Sequence, residues 1–80
     1  MKTINKTQAT ALKKINRTLS NIETALLSFE DDCLQKRHSS LATVDDRMEL
    51  EEYVHQTNLA VVNIRGVKSH IKAICDLAGI

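Results

Sequence analysis

The sequence predicts an all-α fold, an antiparallel two-helix hairpin of coiled-coil type. Three observations carry this: two long apolar runs spaced alternately by three and four, the absence of proline, and only two aromatic residues, Phe29 and Tyr53. Steps of three and four keep side chains on one stripe of a helix. A sheet protein of this length would need several turn signals and more β-branched or aromatic runs.

Eighty residues allow one domain, spanning 1–80. A chain this short buries only about 60–65% of the surface its unfolded form exposes, so its core is thin. Small scaffolds compensate with disulfides, a metal or oligomerisation. The segment Met1–Lys6 lacks the apolar run of a signal peptide. The longest apolar stretch, Leu59-Ala60-Val61-Val62, falls far short of a membrane span. The expectation is a soluble, cytoplasmic protein with no membrane partner.

The first helix is expected over about residues 5–37. Its seam is Leu12, Ile15, Leu19, Ile22, Leu26, Phe29 and Cys33, and it fades towards Asn5 and Gln8. Leu27 and Leu34 fall beside it and widen the apolar surface. The second helix is expected over about 44–78, with Leu50, Tyr53, Thr57, Ala60, Ile64, Val67, Ile71, Ile74 and Ala78 in its seam. Val54, Val61 and Cys75 lie on the adjacent row. Leu59 and Val62 lie further round.

The loop between them is about 38–43. Thr43 is a good N-cap, because its hydroxyl can accept a bond from an exposed N–H one turn on. Asp45, Asp46 and Glu49 follow it, while Lys36, Arg37 and His38 close the preceding helix, each set with the sign its helix dipole favours. A connection this short implies antiparallel neighbours, and a turn near residue 41 makes facing residues sum to about 82. Phe29 then faces Tyr53, Ile22 faces Ala60, and Ile15 faces Val67. Gly66 costs a helix about 1 kcal/mol relative to alanine, which leaves a continuous helix, a kink or a break open there. Gly79 is a C-terminal stop.

Cys33 and Cys75 form no C-x-x-C pair and lie about 39 Å apart along such a hairpin, so no intramolecular bond can join them. They read as small thiols in a reducing compartment, with an intersubunit disulfide in a head-to-tail dimer as the alternative. His38, His55 and His70 have no ligand-spaced partner, so neither metal nor other cofactor is expected. A catalytic constellation needs a concave pocket, which two helices do not make; the acids at Glu30-Asp31-Asp32 and Glu51-Glu52 read as solvated. No enzyme activity and no small-molecule substrate are expected.

Charge is distributed unevenly although the net value is only +1. Lys2, Lys6, Lys13, Lys14 and Arg17 precede the first acid, Glu23; nine acids against three bases fill 23–52; Arg65, Lys68 and Lys72 follow with Asp76. Folding at the loop makes a rod that is basic at its open end and acidic at its tip. A basic patch of Lys13, Lys14, Arg17, Arg65, Lys68 and Lys72 would suit nucleic acid. The near-neutral net charge and the lack of interleaved aromatics favour a protein instead.

Two helices alone cannot cover both seams together with Leu27, Leu34, Leu59 and Val62, the candidate partner surface. A homodimeric four-helix bundle, or a partner's amphipathic helix, would cover them. The expected function is a small adaptor, co-chaperone or inhibitor acting through helix packing. In outline the chain resembles the helical-hairpin co-chaperones of type III secretion and the plasmid-borne dimeric four-helix regulators, without the proline-containing turn of a secretion needle subunit. The first resemblance implies chaperone-like protein binding, and the second a nucleic-acid-binding regulator of plasmid or phage type using the basic open end.

Overall fold

A computed structural model describes residues 3–80, which form two antiparallel helices: α1, Lys6–Arg37, and α2, Val44–Ala78. They pack side by side into a rod whose Cα trace measures 58 × 15 × 12 Å.

Each helix starts on a capping box. The Asn5 side chain accepts the Gln8 N–H while the Gln8 side chain accepts the Asn5 N–H, both at 2.8 Å. Thr43 and Asp46 repeat the exchange at the head of α2, both at 3.1 Å. Two backbone donors are thus satisfied at each exposed start. Asn5 and Gln8, where the apolar seam fades, therefore have a job of their own. Between the helices, the Ala42 N–H and the Leu41 N–H both turn back to Ser39. At the far end Gly79 adopts φ 75°, and the Gly79 and Ile80 N–H groups return to the Asp76 and Cys75 carbonyls. That pairing is the Schellman ending, which a residue without a Cβ enters at least cost.

α2 runs unbroken through Gly66, so the second helix does not divide there. A Cβ built there would meet nothing within 4 Å, so no close approach inside the chain explains the glycine.

The helices meet along a stripe rotated by one row from the expected seam. Leu12, Leu19, Leu26 and Cys33 on α1, and Leu50, Thr57, Ile64 and Ile71 on α2, are in it as expected. The alternating positions are different. Ile15, Ile22, Phe29, Tyr53, Val67 and Ile74 stay 41–48% exposed, at the edge of the contact. Their places are taken by Glu23, Glu30 and Arg37 on α1 and by Val54, Val61, Lys68 and Cys75 on α2. A period of seven fixes a stripe only to within neighbouring rows, and α2 carries apolar residues on both rows flanking the shared one. Rotation towards Val54 and Val61 buries compact β-branched groups and brings Glu23 to two cations. Ala60 remains half-buried between the alternatives.

The core that results is small. Ala9, Cys33, Thr57 and Val61 are the buried residues, and among the described residues no large side chain is fully enclosed. Thr57 donates its hydroxyl to the Tyr53 carbonyl at 2.7 Å, so its burial leaves no polar atom unpaired.

Candidate docking face

Rotation of the seam sorts the hairpin into two unlike faces. Residues three after the shared α1 row (Ile15, Ile22, Phe29) and three after the shared α2 row (Tyr53, Val67, Ile74) fall on one side. The Phe29 and Tyr53 rings prove the two rows adjacent: their centroids lie 6.3 Å apart, tilted by 60°. Residues four after the shared rows fall on the other side. There Glu23 accepts from Arg65 Nε at 2.7 Å and from Lys68 Nζ at 3.0 Å.

The apolar face is two helices wide. Along its α1 edge it continues into Ala11, Thr18 and Ala25, all exposed and uncharged. A contiguous apolar patch of more than about 300–600 Å² is unusual on a free monomer and marks an interaction surface. At the tip end of the face the Tyr53 hydroxyl donates to Glu49, whose carboxylate raises that hydroxyl above its ordinary value of 10.0. The ring is thereby held in place over Phe29.

The opposite face is polar. Arg65 is well exposed while the Glu23 side chain is largely covered. The Arg65 hydrogen bond, followed by that from Lys68, holds the Glu23 carboxyl below its ordinary value of 4.5. Arg37 approaches Glu51 at 3.8 Å near the tip. Lys13, Arg65, Lys68 and Lys72 line one open cleft at the basic end. Lys14 and Arg17 stand outside it. The six-residue basic patch is therefore split, and two of its members already share a carboxylate. Glu23 was grouped with the acidic tip by sequence position, yet it sits among the bases across the rod.

The four residues expected as a partner surface do not come together either. Leu27 and Leu34 follow the shared α1 row by one residue, on the polar side. Leu59 and Val62 project from the back of α2, where they are 47% and 65% exposed. A separate apolar group, Leu41, Val44 and Met48, is exposed at the tip. The acids Asp31 and Asp32 are exposed and Glu30 is half-buried beside the seam.

Cys33 is buried and Cys75 half-buried, both as free thiols. Among the described residues no three His, Cys, Asp or Glu side chains gather as a metal site. No helix among them is long and apolar enough to cross a membrane. Comparison with protein-family models, curated proteins and solved structures finds no match to this chain.

Proposed function

We propose that this chain is a small, non-enzymatic protein-interaction module, an adaptor, co-chaperone or inhibitor of the cytoplasm that works by helix packing. The observation that carries the reading is the pair of half-exposed rows centred on Ile22 and Val67, which form a continuous apolar face on a rod with almost no core of its own. Covering such a face removes apolar area from water at about 25 cal/mol per Å². A binding helix needs no further chemistry than matching side chains at its own three-and-four spacing.

Phe29→Lys tests this. It sets a charge at the tip end of the face while leaving the seam intact, so far-ultraviolet circular dichroism should keep its helical signal. Tagged wild type and variant are carried through size exclusion with light scattering, alone and after exposure to cell lysate. The variant should lose whatever assembly or captured protein the wild type holds. A variant that retains all of it contradicts the reading.

Nucleic-acid binding has one observation in its favour, the convergence of Lys13, Arg65, Lys68 and Lys72 on one cleft. Against it, Glu23 neutralises part of that cleft. The reading requires affinity for a DNA or RNA duplex that falls steeply with salt.

A further inference from the structure

We infer that the occupant of the apolar face is a second copy of this chain, packed face to face and antiparallel, its tip over the other's open end. The inference rests on the docking-face reading and adds the partner and its orientation.

Width and area come first. The face runs about 21 Å on α1, from Ile15 to Phe29, and about 31 Å on α2, from Tyr53 to Ile74, at 1.5 Å per residue. With two helices side by side it offers roughly 600 Å² per copy, or about 1,200 Å² for a pair, the lower bound of a stable specific interface. One foreign helix would fill the groove between α1 and α2 and leave the outer flanks wet. Another two-helix face covers both.

Charge decides the direction. Lys6, Lys13, Lys14 and Arg17 stand at the open end of α1, and Glu30, Asp31 and Asp32 stand towards the tip. Parallel copies would set like poles together. Antiparallel copies set each pole on its opposite, and a two-fold axis makes the arrangement self-complementary.

Register supplies the third argument. A two-fold axis across the rods lays α1 on the copy's α1. If Ile22 meets Ile22 on that axis, Phe29 comes level with the copy's Ile15. The same register sets the acidic stretch Glu30 to Asp32 level along the rods with the copy's basic stretch Lys13 to Arg17; these charges flank the apolar contact, Lys13 on the polar side, and act between poles and not as pairs within it. One register therefore matches the Phe29 ring to the smaller Ile15 and acidic poles to basic ones.

The test is sedimentation velocity on the full chain with charge-reversed variants, all at exposed positions except Glu30, which is half-buried in the seam, so helix content is checked by dichroism in each. Lys13→Glu with Lys14→Glu and Arg17→Glu should weaken self-association by at least about tenfold. Adding Glu30→Lys, Asp31→Lys and Asp32→Lys to the same chain returns the net charge to that of the wild type and should restore association. Mixed with wild type, this six-fold variant should sort into separate homodimers, because each mixed pair would set like poles together. A preference for the mixed dimer would show parallel packing and overturn the proposal. So would a wild type that stays monomeric at every concentration, in which case another protein's helix occupies the face. The docking-face reading fails separately, if the wild type dimerises and Phe29→Lys dimerises equally well.

Discussion

The side of the hairpin built around Glu23, Arg65 and Lys68 and the side built around Ile22, Phe29 and Tyr53 flank the same seam, yet they do different work. On the first, a carboxylate reaches two cations across the seam at 2.7 and 3.0 Å, so its polar groups find partners within the chain. On the second, apolar side chains have partners over only half of their surface. Exposed ion pairs contribute about 0–1 kcal/mol each, so the polar side orients the helices more than it stabilises them. The apolar side holds stabilisation in reserve until something covers it. A hairpin this thin reaches full burial only in an assembly.

The largest expected effect separates the seam from that face. Val61 is 4% exposed between the helices. Val61→Asp buries an unpaired carboxylate and should cost at least about 3 kcal/mol, abolishing most of the helical dichroism. A variant with wild-type dichroism would mean that the Tyr53 row, not the Val61 row, is the true seam. The smaller effect comes from a residue on neither side. Gly66 is helical and open, so Gly66→Ala should stabilise by about 1 kcal/mol. The melting temperature should rise by about 4–8 °C for a domain of this size. Association should stay unchanged; a loss would place the partner's backbone against Gly66 and widen the covered surface beyond the apolar face.

Much of the fold was legible because it rests on local chemistry. Thr43 with the following acids announced the head of α2, Gly79 announced its end, and the absence of proline left both helices unbroken. The meeting of Phe29 and Tyr53 followed from loop position alone. The rotation of the seam was harder to read, because Tyr53, Val67 and Ile74 on one row and Val54, Val61 and Cys75 on the other are equally apolar. The choice between them depends on a contact across 42 positions of sequence, Glu23 with Arg65, which no local pattern reports. For the same reason the candidate partner residues were scattered: Leu27, Leu59 and Val62 were picked for lying off the seam, and the true apolar face consists of residues that had been assigned to it.

Ile22 and Leu27 provide the most direct test, since each is 41% exposed in the hairpin, one on the apolar side and one on the polar side. Glutamate at either position costs the hairpin itself a comparable amount, so any difference between them reports the assembly. Sedimentation velocity of Ile22→Glu and Leu27→Glu at matched concentrations, with helix content checked by dichroism, should show Ile22→Glu as a helical monomer and Leu27→Glu associating as the wild type does. Equal loss of association in the two variants, or a larger loss for Leu27→Glu, would contradict the assignment of the docking face.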